Sequence, residues 1–199
     1  MLIETNKLNS MELFQMLSSS ILPRPIAWVG SISANAVPNL APYSLFSIAS
    51  VTPPMISIVV LNRPGGADKD TLSNIKETEV FSVSVVSRDL VKSMSATGME
   101  FPPDVNEFES SGLSQVECET IPCVRCAEAK LSLECKLREV LKYGDDGTSD
   151  SLILADVVAI NIDDSIMRGP QIDLDKLDPV GHLIGPLYST TREKITPMS

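Results

Sequence analysis

The chain has 199 residues, 43% of them hydrophobic, and its 26 acids outnumber its 16 bases for a net charge of −10. That length suits one domain, residues 1–199, with a sizeable core, and the composition is not that of a disordered chain. The acidic balance excludes nucleic acid or an anionic membrane surface as the main partner, since both need a basic face.

The opening MLIETNKLNS has neither the basic nor the apolar region of a signal peptide, and four cysteines are too few for a disulfide scaffold. Free thiols in a reducing compartment, the cytoplasm, are expected. A short helix is expected from Asn9 to Ile21, capped by Asn9 with Glu12 three residues on, with Leu13, Phe14, Leu17 and Ile21 on one face. Strands follow at Pro25–Ser33, at Asn39–Phe46 and, after Pro53-Pro54, at Met55–Leu61. From Pro25 to Asn62 there is no charged residue and no histidine, but Asn35, Pro38, Asn39, Pro42, Pro53 and Pro54 exclude a membrane span. Two readings stand for this stretch: buried strands alone, or buried strands with a neutral, hydroxyl-rich ligand cleft.

Arg63-Pro64-Gly65-Gly66 marks a turn, and a helix starts near Asp70 with Leu72 and Ile75 inward. Val80–Val86 reads as a buried strand, and Ser87 as the cap of a helix carrying Leu90, Val91 and Met94. Residues 99–127 read as irregular. Leu131, Leu133, Cys135 and Leu137 alternate with Ser132, Glu134, Lys136 and Arg138, a half-buried strand. Gly144 and Asp146-Gly147 signal a hairpin before the returning strand Leu152–Ile162, and a turn-rich tail runs over about 165–199. Six or seven strands at hairpin spacing with short helices predict a mainly β, closed or nearly closed antiparallel barrel. A doubly wound parallel sheet fits worse, for want of helices between strands and of a G-x-G-x-x-G.

Two segments could carry chemistry. Arg63 to Asn74 leads a glycine-bearing loop into a helix whose first turn holds Lys69 and Thr71, a setting for a phosphate. The bland alternative is a helix capped by Asp70 with Lys69 solvated, and Asp68 and Asp70 oppose an anion unless they point away. Pro38 to Pro54 places Ser44, Ser47 and Ser50 every third residue through a bend, and Pro42 in mid-strand implies an edge or a bulge. Exposed backbone beside these hydroxyls suits a planar heterocycle; otherwise it is a polar barrel rim. The lone His182 gives no nucleophilic triad. Cys123 and Cys126 have knuckle spacing without the second knuckle a four-thiolate zinc site needs, so no metal is expected.

The blocks PRPIAWVGSIS, PNLAPYSLFSIASVTPP, KDTLSNIKETEVFSVSVV and LDKLDPVGHLIGPLYS together resemble the flavin reductase-like proteins of the FMN-binding split barrel, over roughly residues 20–190. That group includes flavoredoxin-like proteins and the reductase components of two-component monooxygenases. The resemblance implies a six-stranded Greek-key split barrel, a homodimer, and FMN near the subunit interface. It implies that Asn39, Ala41, Tyr43 and Ser44 line the isoalloxazine and ribityl chain. Ser50, Val51 and Thr52 would contact the ring edge or ribityl, and Lys69, Asp70 and Thr71 would form the phosphate segment. Arg24 is a lesser candidate for the phosphate or the dimer contact. His182 stands where many relatives have arginine, and the C-x-x-C lies outside the family pattern.

The implied activity is an FMN-dependent oxidoreductase, with NAD(P)H as transient co-substrate and free flavin, oxygen or a protein such as a monooxygenase component as acceptor. No catalytic acid or base is required of the protein. The net charge favours a basic protein acceptor over an acidic one. The alternatives are a flavoredoxin-like electron carrier without NAD(P)H turnover and a non-enzymatic split-barrel protein binding flavin or haem-like ligands.

Overall fold

The computed structural model describes residues 1–63, 65–102, 104–144 and 149–197. Helix α1 spans Ser10–Ser20. Asn9 Oδ1 accepts from the Glu12 N–H at 3.0 Å while the Glu12 carboxylate accepts from the Asn9 N–H at 2.9 Å, the reciprocal cap that the sequence shows. Among the described residues the apolar face of α1 is largely uncovered: Leu13 is half-buried, and Phe14, Leu17 and Ile21 are 44%, 54% and 67% exposed.

Strands β1 (Ala27–Ile32), β2 (Pro38–Tyr43), β3 (Phe46–Ser50) and β4 (Met55–Leu61) follow. Then come α2 (Asp70–Thr78), β5 (Val80–Val85), α3 (Val91–Ala96) and α4 (Glu107–Ser110). The short strands β6 (Gln115–Glu117) and β7 (Val124–Cys126) precede the long β8 (Leu131–Tyr143) and β9 (Asp150–Ile162). The main sheet has seven strands in the order β2-β1-β5-β8-β9-β4-β3, one more than the resemblance implies. Every pairing in it is antiparallel.

The extra strand comes from a break in the expected Asn39–Phe46. The ladder with β1 ends at Tyr43, and the chain turns at Ser44-Leu45 so that Phe46 pairs with Ile58 of β4. β2 and β3 are the two outer strands, yet two residues join them, a reach on the order of 10 Å. The sheet must therefore roll until its edges meet. No ladder joins those edges, so it is a split barrel rather than a closed one. Pro42 sits on β2, where a missing N–H costs no internal ladder bond, as its position in the sequence implies.

The core is double. Inside the barrel lie Val29, Ile56, Ile58, Val60, Leu72, Ile75, Phe81, Cys135 and Ile153. Each Val, Ile, Leu or Phe so buried contributes about 1.5–3 kcal/mol. Outside, Trp28, Leu40, Met94, Phe108 and Leu113 join the sheet to α3 and α4. Trp28 Nε1 donates to Thr97 Oγ1 at 2.9 Å and so pins the end of α3.

Three expectations are corrected. Ser87 begins a 3₁₀ turn, but its hydroxyl donates to the Asp89 carboxylate instead of capping a helix N–H. Residues 99–127 hold α4, β6 and β7; an Asn106–Glu109 cap signal was there to be read, since Asn106 Oδ1 accepts from the Phe108 N–H at 3.0 Å. Glu134 keeps the outward parity of β8 but is buried, because the hairpin of β6 and β7 covers that side of the sheet; β8 pairs with β5 without a break here, and the extra residue of the register shift, Val158, lies on β9. Its carboxylate accepts from Glu119 N, Thr120 N, Thr120 Oγ1 and Asn161 Nδ2. Burial opposes that charge, but the hydrogen bonds outweigh it and hold the carboxyl at about 2. Of the expected hairpin, Asp146-Gly147 lies outside the described residues; its flanks pair up to Tyr143 and Asp150.

Candidate functional site

A cleft opens where β2 meets the start of α2. Its cavity volume is about 80 Å³, smaller than the roughly 300–1,000 Å³ of enclosed small-molecule sites, so it is a shallow cleft that would seat only part of a ligand. β2 supplies Asn39, Ala41 and Tyr43, spaced by two and so on one face of the strand. Lys69, Asp70 and Thr71 form the wall at the helix start, Arg63 enters from the loop after β4, and Thr97 to Phe101 with Glu107 close the far side.

The acids that opposed an anion are neutralised. Asp70 pairs with Arg63 at 2.9 Å and Asp68 with Lys76. Arg63 also donates to the Asp68 carbonyl at 2.9 Å, which stiffens the loop, and its bond to Asp70 keeps it firmly protonated. Lys69 is the N-cap residue of α2, and no side chain caps the helix. Asp70 is therefore the first helical residue and not the cap. Among the described residues Lys69 has no carboxylate within ion-pair distance, so an ammonium and the free first-turn N–H groups face one place.

Behind this lies a buried polar chain. Thr71, 2% exposed, donates its hydroxyl to Asn39 Oδ1 at 2.7 Å. Asn39 Nδ2 donates to Glu107 Oε1 at 2.6 Å, and the Leu40 N–H donates to Glu107 Oε2 at 3.1 Å. Ser31 also donates to Asn39 Oδ1, at 3.3 Å, and itself accepts from Asn74. The Thr71 hydroxyl proton is thus committed to the protein, which leaves its backbone N–H for a ligand. Asn39 keeps a second amide hydrogen. Burial raises the Glu107 carboxyl above its usual range and pushes the Tyr43 phenol up to about 12, so Tyr43 stays a neutral donor.

The structure therefore gathers Asn39, Ala41, Tyr43, Lys69, Asp70 and Thr71 around one cleft. It does not bring Ser44, Ser50, Val51 and Thr52 there. Ser50, Val51 and Thr52 lie at the turn between β3 and β4, where Val51 is 78% exposed. Ser44 joins a second cluster. Arg24, 5% exposed, donates to the carbonyls of Ser18 and, at 2.7 Å, Leu183, and faces Ser44 Oγ and His182 Nδ1. His182 Nδ1 is also 2.9 Å from Ser44 Oγ, its Nε2 donates to the Gly185 carbonyl at 2.9 Å, and its ring stacks on Tyr188 at 5.1 Å. Arg24 and His182 line no part of the cleft, and their polar atoms are engaged.

Sequence reasoning missed Arg63 as a member of the site, and Glu107 and Thr97 altogether. Arg63 was visible beside Lys69. Glu107 lies 68 positions from Asn39, and no local pattern announces that contact. A second cavity behind Asn39 shares Asp70 and Glu107 but holds Asp104 and no cation, so the anion-binding character belongs to the first.

A family model described as "Flavin reductase like domain" matches residues 18–177. The chain is similar to nitrilotriacetate monooxygenase component B from Bacillus cereus, at 30% identity and a TM-score of 0.94 over 98% of each chain. It is similar to the 2-nitrobenzoate 2-nitroreductase NbaA of Pseudomonas fluorescens, at 28% identity and a TM-score of 0.89 over 100% of this chain and 96% of that one. Flavoredoxin of Desulfovibrio vulgaris (Miyazaki F) shares the fold at 22% identity and a TM-score of 0.78, over 88% of this chain and 91% of that one.

Proposed function

The chain belongs to the flavin reductase like domain family, and from that premise we propose that it binds FMN in the cleft beside α2 and acts as an NAD(P)H-dependent flavin oxidoreductase, one such domain over residues 1–199. The observation that carries this reading is Lys69: among the described residues a cation without an acidic partner, at an uncapped helix start, beside a cleft that holds the neutral donors Asn39 and Tyr43 and whose Asp70 is paired with Arg63, with Glu100 and Glu107 on its far side. A phosphate monoester meets all of these groups at once.

Bound there, FMN supplies the hydride and electron chemistry, from NAD(P)H to free flavin, oxygen or a protein acceptor. Lys69 and the first-turn N–H groups, that of Thr71 included, hold the phosphate, and the Arg63–Asp70 pair keeps the neighbouring negative charge from repelling it. Asn39, its amide fixed by Glu107, and Tyr43 donate to the ribityl or ring oxygens. Ala41 leaves room for a flat ring. Ser44, whose hydroxyl is held by His182, contributes through its backbone, and Ser50, Val51 and Thr52 serve the far end of the ligand. The names of two similar proteins, a monooxygenase component and a nitroreductase, support electron transfer to a second protein or to a small acceptor.

The largely uncovered face of α1, with Ile48 and Val51 on β3 and the turn after it, supports a homodimer. Light scattering on the wild type and on Leu17→Glu tests it: a dimer that the substitution dissociates is expected, and a wild-type monomer removes the idea.

The function is tested by the visible spectrum of the protein equilibrated with FMN and passed through gel filtration, followed by NADH and NADPH oxidation. Flavin bands eluting at one per chain, with turnover of either nucleotide, are expected. A colourless protein removes the oxidoreductase reading. A coloured protein that leaves both nucleotides untouched is an electron carrier.

A further inference from the structure

The cysteines are the part of the sequence that the cleft leaves unused. Cys118 follows β6 and Cys123 precedes β7, one step beyond the paired Glu117 and Val124. The Cys118 N–H donates to the Cys123 carbonyl at 2.9 Å. Cross-strand neighbours of this kind sit roughly 4.5–5.5 Å apart at Cα, and a disulfide spans about 4.4–6.8 Å. The Cys123 thiol donates to the Gly30 carbonyl at 3.5 Å. Cys123 is 4% exposed among Val80 and Ile121, while Cys118 is half-buried at the edge of that cluster and reachable from solvent.

The hairpin is held in this shape from three sides. The Glu134 carboxylate binds Glu119 and Thr120 of the loop. Ser82 Oγ donates to the Val124 carbonyl at 2.7 Å. Gly30 makes room: a Cβ there would stand 2.5 Å from the Val124 oxygen. The neighbouring Cys123 and burial push the Cys118 thiol up while Cys123 is drawn down; Arg125, whose buried Nε has no hydrogen-bond partner, adds a positive charge that Glu134 opposes. The C-x-x-C of the sequence is not the pair. Cys126 donates its thiol to Glu128 at 3.3 Å within the outer core, and Cys135 lies inside the barrel.

We propose that Cys118 and Cys123 form a redox-active dithiol that closes to an intrachain disulfide on reaction with hydrogen peroxide. One sulfur of the pair, as thiolate, attacks one peroxide oxygen, the O–O bond breaks, and a sulfenic acid forms as hydroxide leaves and takes a proton to become water. The other sulfur then displaces the remaining hydroxyl as a second water and forms the S–S bond. Two thiols lose two electrons and two protons; one peroxide gains both and yields two waters.

The test uses the full chain, treated with stoichiometric hydrogen peroxide, alkylated under denaturing conditions and mapped as peptides without reduction. A linked Cys118–Cys123 species is expected, lighter than the dithiol by about 2 Da and returned to it by dithiothreitol. Two alkylatable thiols per chain are lost in the wild type, and no such linkage forms in Cys118→Ser. Four thiols still alkylatable after peroxide overturn the proposal, as does a linkage through Cys126 or sulfinic acid at Cys118 with Cys123 free. The wild-type map decides without any variant.

Discussion

Among the described residues neither Arg24 nor Lys69 has a carboxylate partner, and the two cations stand in opposite circumstances. Arg24 is buried, and its donors are met by Ser18, Leu183, Ser44 and His182. Lys69 faces a cleft at an uncapped helix start. A charge whose donors are all used by its own chain ties segments together, here the end of α1 to the tail. A charge whose donors are unused is a place for a ligand. The carboxylates repeat the contrast: four donors hold Glu134 low, whereas burial dominates at Glu107 beside the cleft and raises it.

The comparison breaks most visibly at Arg24. Arg24→Met leaves the Ser18 and Leu183 carbonyls without their donor and His182 Nδ1 with Ser44 alone, and should cost about 3–5 kcal/mol in denaturant unfolding with the FMN affinity of the folded fraction kept. A loss below 1 kcal/mol would show that those bonds are not holding the fold. Lys69→Met does the reverse. FMN binding followed by fluorescence should weaken by about 1.5–3 kcal/mol, roughly 10- to 150-fold, with unfolding of the ligand-free chain unchanged. Unaltered affinity would refute the phosphate assignment.

The carboxylates sharpen the contrast through pH. Glu134 is held at about 2 against an ordinary 4.5, so its contribution is present above 4.5 and is lost as pH falls toward 2. The stability gap between wild type and Glu134→Gln should be about 2 kcal/mol at neutral pH and close on acidification. Glu107 is raised, so its contribution is full below 4.5 and is lost as pH rises through its folded value. Above pH 4.5 its part of the profile therefore slopes down, and Glu107→Gln should flatten that slope. The same substitution lowers stability overall, because Asn39 Nδ2 and the Leu40 N–H together demand two acceptors and a glutamine offers one.

Much of the fold was legible because it is local. Asn9 and Glu12 cap α1 three residues apart, the bounds of β4 follow from Met55–Leu61, and Pro42 marks an edge strand because proline cannot donate to a ladder. Half of the candidate site was legible for the same reason: Lys69 and Thr71 announce themselves at a helix start. The alternation of β8 holds at Glu134 but misled about its burial, since the loop of the β6–β7 hairpin covers that face and nothing within β8 announces the cover.

By itself the sequence determined which segments become strands and helices, the family, and the residue types offered to a phosphate, all of which depend on neighbours a few positions away. Only the tertiary structure decided what each polar group does. Asn39 finds Glu107 across 68 positions, Arg24 finds His182 across 158, and Cys118 pairs with Cys123 rather than Cys123 with Cys126. Such partners are chosen by how the sheet rolls and which loops cover it. A buried donor or acceptor must be matched inside the fold, and the chain close to it does not say by whom.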